Sequence, residues 1–193
     1  MIYNMRERKE TISIAKANLW SVVLLLAAGA VFGLLLVVAV KCCGVPLRKM
    51  GLVSLVIFAV ALIAGIVVHE LIHGLTWALF AKRGFRAISF GVIWKYLTPY
   101  CHCDEPLLKR HYMLGAFMPC LLLGIVPAVL SLFLGLVWLY IFGVVFISAA
   151  AGDLMVMWRL RKEKDTVLVL DHPSEAGYLV YEEEEADAVT NKE

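Results

Sequence analysis

The chain has 193 residues, 62% of them hydrophobic and 18% charged, with a net charge of +2 and a mean hydropathy of +0.83. An apolar share so far above the roughly 45–50% of soluble domains excludes an ordinary soluble protein, and so small a charge excludes nucleic acid as a partner. Five cysteines, an odd number without a C-x-x-C pair, exclude a secreted disulfide framework.

Residues 1–18 read as a cytoplasmic flank. Leu19 to Val40 is uncharged and long enough to cross a bilayer, which takes roughly 20 helical residues. It is too long for a signal-peptide core, and Lys41-Cys42-Cys43 is a poor cleavage site, so it reads as a retained helix. A second span runs from near Leu52 to about Ala81, a third from about Tyr112 to Leu134, and a fourth from Leu136 to about Trp158. Gly135 leaves almost no loop between the last two and predicts a tight helical hairpin. Pro119 and Pro127 are expected to kink the third span and to carry no chemistry.

Between the second and third spans, residues 83–110 contain "FRAISFGVIWKYLTPY", whose β-branched and aromatic content predicts one or two short strands. In the tail, 161–181, "TVLVL" and "GYLVY" are strand-like around the turn "DHPSEA". The acidic end, 182–193, is expected to be disordered. The fold class is thus an all-α membrane protein of about four transmembrane helices over 19–160, with a small cytoplasmic β element. Lys and Arg set the orientation: fourteen lie on the side of the N-terminus, second loop and C-terminal flank, against three on the other side. Both termini are therefore expected in the cytoplasm, with the chain multi-pass in the cell membrane.

Inside the second span stands "IVVHELIHGL", where ionisable groups cost a few kcal/mol each on insertion scales (about 2.5–3.5). His69, Glu70 and His73 spell H-E-x-x-H, and residues four apart share one helix face. Two imidazoles so placed can hold one Zn²⁺. Glu70, offset by about 100°, is positioned to take a proton from an attacking water and pass it to the leaving amine. The competing reading is a polar contact between helices. A catalytic zinc site usually has three protein ligands. Asp153, in "SAAAGDLMVMW", is the only acidic residue within the other apolar segments, and it lies as deep in the fourth span as His69 in the second. Otherwise Asp153 snorkels to the interface near Arg159. Cys101-His102-Cys103 lacks a second ligand pair and its neighbours would point to opposite faces of a strand, so it reads as no separate zinc site.

H-E-x-x-H on one membrane helix with an aspartate on a later parallel helix resembles the site-2 protease type of intramembrane metalloprotease. The order "HELIHG", "TPYCHCDEP", "YMLGAFMP", "AAAGDLMVMW" and "DHPSEAG" resembles a bacterial family described as putative zincin peptidases, over about residues 60–181. The resemblance implies His69, His73 and Asp153 as metal ligands and Glu70 as catalyst. One departure is local: site-2 proteases usually carry the aspartate before a glycine, whereas here Gly152 precedes Asp153. Those proteases have a strand after the H-E-x-x-H helix that is thought to hold extended substrate. "RAISFGVIW" occupies the similar place, with Ile88, Phe90 and Gly91 as substrate contacts, unless the strand only packs at the membrane surface. His172 serves either a turn with Asp171 and Pro173 or a lid.

The expected function is a membrane-embedded zinc endopeptidase acting on a membrane protein or peptide at or within the cytoplasmic half of the bilayer. Its partners would be the lipid bilayer and that substrate. The alternative is a catalytically silent zinc-binding adaptor or chaperone. A metal transporter would need further ionisable residues across the bilayer, which the apolar segments lack.

Overall fold

The computed structural model describes residues 5–94, 98–172 and 175–183. It is mostly helical, with two small antiparallel sheets. Strand β1 (Met5–Thr11) leads into α1 (Ile14–Cys42), capped by the Ser13 side chain. The second helix, α2, covers Leu52–Ala78. A hairpin of β2 (Ile88–Ile93) and β3 (Thr98–Cys103) follows, then the short β4 (Leu107–Leu108). The third long helix combines α3 (Lys109–Pro119), a π-helical stretch (Cys120–Ile125) and α4 (Val126–Leu134). The fourth combines α5 (Val137–Ala149) and α6 (Ala151–Leu160), before β5 (Leu168–Asp171) and β6 (Gly177–Glu183).

Among the described residues, three helices are long and apolar enough to cross a membrane, or four if the bent α5–α6 pair is one span. Their outer faces are lined by uncovered large apolar side chains such as Leu26, Leu34, Leu52, Ile63 and Leu75. Such faces are unfavourable in water and suit hydrocarbon. Between helices the contacts are close or polar. Tyr140 donates its hydroxyl to the Gly29 carbonyl at 2.8 Å, and Ser148 to the Ser21 carbonyl at 2.9 Å, tying α1 to α5. Gly124 and Gly143 let the third and fourth helices touch backbone to backbone, the small-residue packing expected where lipid is the competing solvent. Gly135 ends α4 in the left-handed region (φ 63°) and turns the chain directly into α5, as its place in the sequence predicts.

The tightest core lies at one end of the bundle. Trp77, Tyr112, Leu160, Val167, Val169, Tyr178 and Val180 bury together beneath a four-stranded sheet ordered β1-β6-β5-β4. β5 and β6 realise the strand-turn-strand tail read from the sequence. Two features depart from that reading. The N-terminal flank holds a strand, β1, paired antiparallel with β6 from Met5 opposite Glu183 to Thr11 opposite Gly177. Its sequence, MRERKET, lacks the alternation of apolar residues that marks a strand, and ion pairs fasten it instead: Arg8 to Glu163, Lys9 to Glu175 and Glu10 to Arg159. The tail strand consequently runs to Glu183, into the segment expected to be disordered, while residues 184–193 lie outside the described residues. The fourth span is bent by 47° at Ala150, where ψ of 11° leaves the helical basin.

Candidate metal centre

On α2 the usual arrangement is inverted. Gly65, His69, His73 and Trp77, spaced four apart on one face, are buried. Ile63, Ile66, Val67, Leu71 and Leu75 are uncovered. The histidines are therefore held by protein, and the uncovered face is the apolar one, as suits a helix in lipid. A Cβ at Gly65 would overlap the Phe146 ring, which stacks on His69 with centroids 6.4 Å apart.

His73 is oriented from two sides. Its Nδ1 lies 2.9 Å from the Gly115 carbonyl of α3. A carbonyl only accepts, so Nδ1 holds the proton and Nε2 presents its lone pair. Its ring stacks on Trp77 at 5.1 Å, and Trp77 stacks on Tyr112 at 5.2 Å. The Trp77 Nε1–H donates to the Tyr112 carbonyl at 3.0 Å. A Cβ at Gly115 would overlap the Trp77 indole, so this approach of α2 to α3 requires glycine. His69 Nδ1 is buried with no hydrogen-bond partner among the described residues.

The bend at Ala150 starts α6 so that Asp153 falls in its first turn, where the helix dipole favours a carboxylate. Asp153 Oδ2 is 3.3 Å from His69 Nε2, Oδ1 is 3.4 Å from His73 Nε2, and the two Nε2 atoms are 3.2 Å apart. Charge-assisted hydrogen bonds would close to about 2.7–2.9 Å. A tetrahedral ion bound at about 2.0–2.1 Å instead requires ligand separations of about 3.3–3.4 Å. Each imidazole nitrogen thus stands at about that separation from one Asp153 oxygen, and the three residues, whose donor chemistry suits zinc, form a group that could hold a metal ion. The sequence picked these three residues from spacing and depth, and the fold brings them together.

Glu70 is half-buried beside this group, and its carboxylate accepts the backbone N–H of Cys101 on β3. In β3, Cys101 and Cys103 both turn their N–H groups away from β2: that of Cys103 donates to Asp171 Oδ2 at 2.8 Å. Pro99, the next residue of that edge, has no N–H. The outer edge of β3 is thus occupied, whereas no described strand pairs with the outer edge of β2. Of the three contacts read from the sequence, Phe90 has its backbone on that open edge. Gly91 faces Tyr100 in the register that bonds inward to β3, and the Ile88 N–H is taken by the Phe85 carbonyl. Alternation places Val92 on the open edge with Phe90, a position the sequence reading did not name. The Ile88 and Phe90 side chains pack over Gly74 of α2, where a Cβ would crowd both.

The other candidates play structural parts. Burial pushes the Cys101 thiol up and the Cys103 thiol up to about 11, so Cys101-His102-Cys103 offers no ready thiolate. His111 stacks on Phe80 at 4.0 Å. His172 holds a turn: its N–H donates to the Gly177 carbonyl, and its Nδ1 accepts the Glu175 N–H at 2.9 Å. Pro173 lies outside the described residues. Asp171, read from the sequence only as part of the His172 turn, has a role that sequence reasoning missed. Its carboxylate accepts the Tyr112 hydroxyl at 2.5 Å and the Cys103 N–H, joining β5, α3 and the hairpin beneath the centre. These partners lie far apart in the chain, and no local pattern announces them.

Apolar helices around a His-His-Asp donor set, with both histidines buried and Asp153 half-buried, define a membrane-type protein with a zinc-capable centre. Residues 62–168 match the family described as "Putative zincin peptidase", and the chain belongs to that family. The matched stretch contains both histidines, Glu70, the hairpin and Asp153, and the family's description implies zinc and a metallopeptidase. Nothing matches among curated proteins or among solved structures.

Proposed function

We propose that this protein is a membrane-embedded zinc endopeptidase of the site-2 protease type. It cleaves a membrane protein or peptide at or within the cytoplasmic half of the bilayer, with both termini in the cytoplasm. The supporting observation is the pair of Nε2 atoms of His69 and His73, 3.2 Å apart and each within 3.4 Å of one oxygen of the Asp153 carboxylate, with Glu70 beside them, inside helices whose outer faces suit lipid.

In this reading His69, His73 and Asp153 hold the zinc, and the bound ion supplies Lewis acidity to the scissile carbonyl. Glu70 takes a proton from the attacking water at its carboxylate and delivers it to the leaving nitrogen. The Cys101 N–H fixes the direction in which that carboxylate points. A helical substrate hides its carbonyls in its own hydrogen bonds and must first be extended. The open edge of β2 at Phe90 and Val92 offers it backbone partners. This placement rests on β3 having spent its outer edge on Glu70 and Asp171.

The test is Glu70→Gln in the full chain, reconstituted in lipid with candidate membrane peptides. Zinc content is expected to stay at wild-type level while cleavage falls by about 10²–10⁴-fold, the usual contribution of a general base. Equal cleavage by both proteins would refute the assignment. Bound zinc without cleavage by the wild type would favour the adaptor or chaperone instead.

A further inference from the structure

The hydrogen bond that orients His73 raises a question about α3. A helical carbonyl normally accepts the N–H four residues on. For Gly115 that residue is Pro119, which has no N–H and whose ring crowds the same carbonyl. The next amide, that of Cys120, donates to the Phe117 carbonyl. The Gly115 oxygen is thereby left for a group outside the helix, and His73 Nδ1 sits 2.9 Å from it.

We propose that Pro119 is a positioning residue of the metal centre. By withholding an N–H from Gly115 it reserves that carbonyl for His73 Nδ1–H, and so commits Nε2 of His73 to the metal. This rests on the zinc reading above. A histidine ligand generally donates its second ring N–H to a fixed acceptor, which sets the tautomer and the ring direction. Such acceptors are often carboxylates; here it is a main-chain carbonyl that one proline has released. Residue 115 is itself a glycine because Trp77, which stacks on His73, can approach that turn of α3 only without a Cβ. Pro127 provides a contrast: the carbonyl it would free belongs to Leu123, which no residue of the centre contacts in this way.

The experiment compares Pro119→Ala and Pro127→Ala with the wild type, each as the full chain in lipid nanodiscs. One measurement is the tautomer of His73 in metal-free protein by ¹⁵N NMR; the other is equilibrium affinity for Zn²⁺ alone. The wild type is expected to show the Nδ1–H tautomer. Pro119→Ala is expected to give mixed tautomers and zinc binding weaker by about tenfold or more, the scale seen when an outer partner of a ligand is lost. Pro127→Ala is expected to stay within about threefold of the wild type on that scale. Three results would overturn the proposal while leaving the zinc reading in place: a wild-type His73 protonated on Nε2, unchanged zinc binding in Pro119→Ala, or equal weakening by Pro127→Ala. A wild type that binds no zinc overturns both. If Pro119→Ala does not fold, the wild-type tautomer still decides.

Discussion

Replacing Asp153 with alanine removes the one anionic donor from the centre and leaves two imidazole nitrogens 3.2 Å apart. Structural zinc sites with four ligands bind with about 10–16 kcal/mol, or roughly 3 kcal/mol per ligand. At 1.4 kcal/mol per decade, losing Asp153 should weaken zinc binding by about a hundredfold. The carboxylate is also the ligand that offsets the ion's charge, so this figure is a lower bound. Because zinc binds the folded chain, affinity is readable as stability. At zinc a thousandfold above the wild-type dissociation constant the ion adds about 4.1 kcal/mol, and after a hundredfold loss about 1.4 kcal/mol at the same zinc concentration. The assay is thermal unfolding in nanodiscs with and without zinc, alongside competition with a fluorescent chelator. Asp153→Asn separates charge from shape and should lie between alanine and wild type. An alanine variant whose affinity stays within a factor of about three would mean that Asp153 merely touches the histidines, and the tetrahedral reading of the 3.3 and 3.4 Å distances would be wrong.

Further outcomes follow from the surroundings of the centre. Gly115→Ala drives a methyl group into the Trp77 indole and should destabilise the fold by about 1–3 kcal/mol, measured by denaturation; a neutral result would show that α2 and α3 are less closely apposed. Tyr112→Phe takes the hydroxyl from Asp171 and should cost about 1–3 kcal/mol, with no direct effect on the ligands. Burial raises the pKa of Asp171, so the native chain binds this proton more tightly than the unfolded chain, whose aspartates titrate near 3.9. Its contribution to stability is therefore greatest at low pH and declines as pH rises from that value through the folded pKa. Thermal stability of wild type minus Asp171→Asn should fall over that range, and a rise would contradict the burial account. Maleimide at neutral pH should label the exposed Cys42 and Cys43 and spare Cys101 and Cys103, whose thiols are held protonated; mass spectrometry of the labelled peptides checks this.

Much of this molecule is legible from local pattern because its long helices carry the length and apolarity that a bilayer demands. The four apolar segments, the Gly135 hairpin, the strand character of residues 88–103 and the H-E-x-x-H face of α2 all follow from residue type and spacing. Even Asp153 could be singled out, since acidic residues in such segments are so costly that a lone one stands out. Contacts between distant elements decided the rest. MRERKET is a strand only because β6 lies beside it, and the bend at Ala150 that aims Asp153 depends on how α5 and α6 pack. Which hairpin edge stays open depended on Glu70 and Asp171 reaching the N–H groups of β3. The value of Pro119 appeared only when His73 was found against the carbonyl it had released. Hydrophobic periodicity reports which face of an element is covered, but it does not say by what; direction and partner are properties of the assembled fold.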